Sequence, residues 1–285
     1  MKTNFLIFVI MLTTLVSCQQ HDENANVEDL SIPTDSVIDA PQAHDETYMF
    51  PSPLQIAVIL KKAGLTYQPG ITNDLTKVNQ YETKLKQKLN FGVYAADLAY
   101  LVLNKQNQEA INTIKTLDKL SEKLWMTNLF SNLDIMKRFE RNLDNEDSLV
   151  TIIADLQMTV DDYLETNGLK DNAAVIFAGA WIETMYIASK VNQTKPKEEL
   201  IKRLGEQKLI LKQIIDALKL SEEHDYSDLI DKLNTLYPLF PEIQENTDDA
   251  NNGNNIEKDS YKLSDEQLKE ISRIIENLRN EIVTI

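Results

Sequence analysis

At 285 residues the chain has room for one large domain or two small ones. Its 42% hydrophobic residues allow a sizeable core, and only 7 Gly and 8 Pro favour long helices over many short strands. The net charge of −16 argues against a nucleic-acid partner, whose phosphates need Lys and Arg, and against a polybasic membrane face.

Lys2 precedes an apolar run from Phe5 to Val16 that ends on Ser17-Cys18. A positive start, an apolar stretch of this length and a small residue after it have the layout of a secretory signal, too short to span a bilayer as a helix. Leu15-Val16-Ser17-Cys18 resembles the lipobox of bacterial lipoproteins. The resemblance implies that residues 1–17 are removed, that the Cys18 thiol carries a diacylglycerol and that the new amine is acylated. Two or more acyl chains anchor stably, so the first expected partner is a membrane, held through Cys18. Cys18 is the only cysteine, which excludes an intrachain disulfide and argues against a thiol enzyme or a Cys-based metal site. Residues 18–50 read as an acidic tether, polar and nearly free of aromatics from 19 to 47. Gln19-Gln20-His21-Asp22-Glu23 resembles the acidic export tags of surface lipoproteins in Bacteroidetes, which implies an address at the outer membrane, periplasmic or surface-facing.

The helical domain is expected over 51–244. A short first helix, Leu54 to Ala63, stops at Gly64. Asn73 or Asp74 caps a second that runs to about Asn104, and Gly92 inside it marks a close crossing or a kink. A third spans about Glu109 to Leu124. A fourth, Asn128 to Leu143 behind Thr127, turns Leu129, Leu133, Met136 and Phe139 inward with Arg138 and Arg141 beside that face. A fifth runs from Asn145 to Gly168. The sixth, capped by Asp171, contains Ala173 to Ser189, whose single charge is Glu183; a helix apolar all round is buried on every side, so this is the expected central helix. A seventh runs from Pro196 to about Leu220, and an eighth from Tyr226 breaks at Pro238 and Pro241. A polar linker, 245–262, leads to a C-terminal amphipathic helix, 263–285, opened by a Ser264/Gln267 capping box. Its Leu268, Ile271, Ile275, Leu278, Ile282 and Ile285 form a seam that either docks back on the bundle or pairs two chains. The fold class is therefore all-α, an up-and-down multi-helix bundle or array of about eight helices.

Two stretches echo each other at an offset of 86 residues: Phe91 with Phe177, Asp97 with Glu183, Tyr100 with Tyr186 and Leu101 with Ile187. This suggests a duplicated helix pair, whose two acid-bearing helices are expected to be equivalent neighbours with both acids at similar depth. The wording FGVYAADLAY, RFERNLDNEDSL and AGAWIETMYIAS resembles an uncharacterised family of all-helical lipoproteins from Bacteroidetes, over about Leu75 to Leu220. The resemblance implies fold and address and carries no activity. Helix pairs of this kind also resemble tetratricopeptide arrays, but these segments exceed that repeat and lack its pattern.

No cofactor or metal is expected. His21 and His44 lie in the tether and His224 in a polar turn, and the Glu-x-x-His motif of di-metal bundles is missing. Asp97 and Glu183 are each the sole charge in a long apolar stretch, and such an acid must be paired, hydrogen-bonded or protonated. The expected partners are Tyr100 and Tyr186, with Arg138 or Arg141. The favoured role is a non-catalytic binding or scaffold lipoprotein whose partner is an envelope protein or ligand the sequence does not name. The alternative is an accessory enzyme acting on carbohydrate or peptide through Asp97 and Glu183.

Overall fold

The computed structural model describes residues 50–126, 129–221, 226–242 and 261–284. The expected signal, residues 18–49 of the tether and 245–260 of the linker, with Cys18, Thr127, His224 and Ile285, lie outside the described residues. The chain is all-α: eleven α-helical segments and two 3-10 turns are described, and among the described residues there is no strand.

Ser52 opens α1 (Pro53–Lys62) as a capping box with Gln55, and Pro53 supplies the first helical φ. The expected second helix is two elements. Asp74 caps a 3-10 turn, Leu75–Asn79, and α2 (Lys84–Leu103) begins only behind Thr83, whose hydroxyl accepts the Lys86 N–H. The break lets Val78 and Tyr81 turn into the core. α3 (Asn107–Lys123) follows. The expected fourth helix is also divided, into α4 (Leu129–Asn132) and α5 (Ile135–Arg141), because Asp134 adopts a left-handed φ of 48° that no α-helix continues through. α6 (Glu146–Thr166) ends before Gly168, where the N–H groups of Gly168 and Leu169 reach back to Glu165 and Leu164.

The long apolar helix, α7 (Lys170–Thr194), starts at Lys170, so Asp171 lies inside its first turn and not at its cap. The expected seventh helix divides into α8 (Glu198–Gly205) and α9 (Lys208–Lys219). At the break Gln207 turns inward to accept the Trp181 indole N–H. α10 (Ser227–Leu236) gives way to a 3-10 turn, Tyr237–Leu239, around Pro238. α11 (Asp265–Val283) opens with the Ser264/Gln267 capping box.

The centre is a pair, not the single helix expected. α2 and α7 share the most extensive interface in the chain. They run in the same direction: Gly92 meets Ile176 and Ala180, and further along Asp97 meets Glu183. A Cβ at Gly92 would lie 1.8 Å from the Ile176 carbonyl oxygen, and one at Gly179 would lie 2.1 Å from that of Leu89. The two backbones therefore touch at glycine, which explains Gly92 as a crossing residue. α7 is long and apolar enough to cross a bilayer, but most of that surface is buried inside the chain.

α11 lies across this pair, antiparallel to α7, and buries Ile271, Ile275, Leu278 and Ile282. At these four positions the seam is thus covered by the chain's own helices, and Leu268 is half-buried. Its last carbonyls receive Lys77 Nζ at Val283, Lys86 Nζ at Thr284 and the Asn90 amide at Ile282, two cations among them at the negative end of the helix.

Candidate functional site

The two acids meet where α2, α7 and α11 come together. Because α2 and α7 are parallel and cross at glycine, the same turn of each helix faces the other, and Asp97 and Glu183 come into direct contact. Both are fully buried. Glu183 is held by two hydrogen bonds from Arg279 of α11, Nε to Oε2 at 3.0 Å and Nη2 to Oε1 at 3.2 Å. The guanidinium also lies over the Tyr186 ring, 4.6 Å from its centre.

Asp97 is held differently. Its Oδ2 accepts the Asn73 backbone N–H at 2.9 Å, and its Oδ1 has no donor among the described residues. The Asn73 amide extends the network to the Tyr81 hydroxyl and to Asn90 Oδ1, and Asn90 reaches α11 at Ile282. Tyr81 and Tyr94 hydroxyls approach to 3.4 Å, and Tyr94 donates to the Asp74 carbonyl.

The electrostatics follow from this geometry. Burial, and then the negative charge of Glu183, push the Asp97 carboxyl well above the usual carboxylate range. Burial pushes Glu183 up as well, but Arg279 opposes it with a full charge and two hydrogen bonds. The proton therefore rests on the Asp97 side and the negative charge on Glu183. Burial works against the Arg279 charge, yet Glu183 outweighs it and holds the guanidinium above its ordinary value.

Arg138 and Arg141 do not take part, which corrects the expectation. Arg138 pairs with Asp155 of α6, half-exposed, and Arg141 is exposed. Both sit on the short α5, which packs on α3, α4 and α6 and does not reach the acids. Tyr100 is buried but turns away: its hydroxyl accepts the Gln68 N–H and donates to the Thr66 carbonyl. Tyr186 does reach the site, as a ring beneath Arg279. Reasoning from the sequence missed Arg279, Asn73 and Asn90. Arg279 stands four residues after Ile275 and three before Ile282, on the edge of the apolar stripe, and that spacing was the available signal.

This arrangement is poor for acid–base chemistry. Glycosidic carboxylates stand about 5–9 Å apart to admit the sugar or a water, whereas these two touch in a closed core. Trp181 is buried and bonded to Gln207, and Trp125 lies on the surface over Lys84 in the first turn of α2, so neither offers a stacking face beside the acids. The clefts that do open lie elsewhere. One of about 230 Å³ has Leu85, Tyr226, Lys232 and Leu278 in its walls, and a smaller one of about 60 Å³ has Phe91, Phe130, Gln157 and Ile176. Among the described residues no group of three or more His, Cys, Asp or Glu side chains converges as a metal site would require.

Comparison with protein-family models, with curated proteins and with solved structures finds no match to this chain.

Proposed function

We propose that this chain is a lipoprotein of the cell envelope, anchored through acyl groups on Cys18, that acts as a non-catalytic binding or scaffold protein. The observation that carries the non-catalytic half is the closure of the acid junction. Asp97 and Glu183 have no exposed surface, and their bonding partners are Asn73, Arg279 and each other. Acids tied up in this way serve the core and leave recognition to the outer helix faces. The anchoring half rests on Leu15-Val16-Ser17-Cys18 and its likeness to a lipobox, and the resemblance to helical Bacteroidetes lipoproteins agrees with it.

Fractionation of cells expressing the full chain tests the anchor. Wild type is expected in the membrane fraction and to be released by detergent alone. Cys18→Ala is expected in the soluble fraction. Retention of Cys18→Ala in the membrane without detergent would overturn the anchoring.

A further inference from the structure

We propose that α11 is a proton-latched strap: one proton held between Asp97 and Glu183 keeps α11 seated across α2 and α7, and loss of that proton unseats it. This inference stands on the junction alone and does not depend on the lipid or on a partner.

The charges at the junction require the proton. Two carboxyls and one guanidinium meet in a site closed to water. With both acids ionised the site carries one uncompensated negative charge; with one proton it is neutral. Asp97 Oδ2 already accepts from Asn73, while Oδ1 has no donor among the described residues, and the Asp97 side chain meets that of Glu183. A carboxyl that meets a second carboxylate can donate a hydrogen bond to it only when protonated. The neighbouring groups do not supply the missing charge. Tyr81, Tyr94 and Tyr186 have their phenols raised by burial and stay neutral, and burial pushes Tyr100 up to about 12. Lys190 and Glu276 pair with each other and cancel. Asp74 spends its carboxylate on Thr76, away from the junction.

Linkage gives the direction. Any state that admits water to Asp97 relieves its burial and lets it ionise in the ordinary carboxylate range. Between that range and the raised value, the closed chain holds one proton more than the open one. Closure therefore weakens as pH rises through this window and levels off above it.

The element that opens is set by how each is held. α2 and α7 meet backbone to backbone at Gly92 and Gly179 and cannot part without losing the core. α11 meets them through side chains. Its other ionic ties, Lys190 to Glu276 and Lys232 to Glu281, and the lysines at its last carbonyls are partly or fully exposed, and its buried tie at Ile282 is to the uncharged Asn90 amide. Among the described residues Arg279 makes its one buried ionic tie, and that tie ends on the acid pair.

Hydrogen exchange of the full chain tests this, with amides of 265–283 followed at about pH 6.5 and about pH 9 and corrected for intrinsic rates. In wild type, protection of α11 is expected to fall by about tenfold per pH unit inside the window. Asp97→Asn mimics the protonated form, since its amide keeps an acceptor for Asn73 and a donor for Glu183, so its α11 protection is expected to stay flat. Equal pH dependence in both proteins would overturn the latch. Loss of protection at 71–83 in place of 265–283 would overturn the choice of α11. Should Asp97→Asn fail to fold, infrared spectroscopy of wild type decides: a protonated carboxyl band at about pH 7.5, where Asp161 at about 6 is ionised, that disappears together with α11 protection supports the latch, and no such band overturns it.

Discussion

Arg279–Glu183 and Arg138–Asp155 are both arginine–carboxylate pairs, placed in opposite surroundings. The side chains of the first are 11% and 0% exposed, those of the second 35% and 36%. Both arginines sit on amphipathic helices next to a buried apolar residue, Leu278 in one case and Phe139 in the other. What separates them is the element each helix lands on. α11 lies across the central pair, while α5 is a short segment at the margin, held by α3, α4 and α6. Burial then sets what each pair does. In the core neither charge has water to fall back on, so each depends on the other. At the surface water takes either partner's place, and the pair is close to neutral for stability.

The largest expected effect follows from that contrast. Arg279→Ala leaves Glu183 buried without its counter-charge and should destabilise by about 3–5 kcal/mol in urea unfolding. In a Glu183→Gln background no charge is stranded, and the same replacement should lose much less. Losses that simply add across the two backgrounds would mean that the pair is not coupled, and the distinction between core and margin would collapse.

A smaller effect tests how much of the Arg279 contribution comes from the ring beneath it. Tyr186→Leu keeps the apolar bulk and removes the face on which the guanidinium lies. A partly desolvated cation–π contact contributes about 1–2 kcal/mol. That loss should appear in wild type and shrink when Arg279 is already Ala. An unchanged loss in both backgrounds would assign Tyr186 to packing alone.

The contrast also separates what the sequence could reveal from what it could not. The helical class was legible because apolar spacing near 3.6 recurs through segment after segment, and Ser52 with Gln55 and Ser264 with Gln267 mark two helix starts in local letters. The acids were legible for the same local reason, a lone charge in an apolar run. Their partner was not, because the Glu183–Arg279 contact spans 96 residues and depends on which way α11 lies across α7. Arg138 was the more tempting choice, being nearer in sequence and beside an inward face. Nor could composition foretell that α2 and α7 form a parallel pair. Gly92 announced a crossing and the 86-residue echo suggested that the two acid-bearing helices are neighbours, but the parallel direction and the glycine contact appear only in the Cβ-less approach to Ile176. The breaks at Asp134 and Gln207 were hidden because periodicity continues through both, and tertiary contacts overrode it.

The smallest effect is the one that bounds the comparison from the exposed side. Arg138→Ala should change stability by no more than about 1 kcal/mol, since solvent screens both members and the free side chains regain rotamers on losing the contact. The coupling between Arg138→Ala and Asp155→Ala should be smaller still at high salt, where the Debye length shrinks to about 3 Å. The Arg279–Glu183 coupling should hardly respond to the same salt, because mobile ions do not enter a site that excludes water. Measuring both cycles at low and high salt in one protein reads how each pair responds to the same change of solvent. If the Arg138–Asp155 coupling equals that of Arg279–Glu183 and resists salt equally, then burial is not what sets the two pairs apart, and the helices they sit on must be distinguished by some other property of the fold.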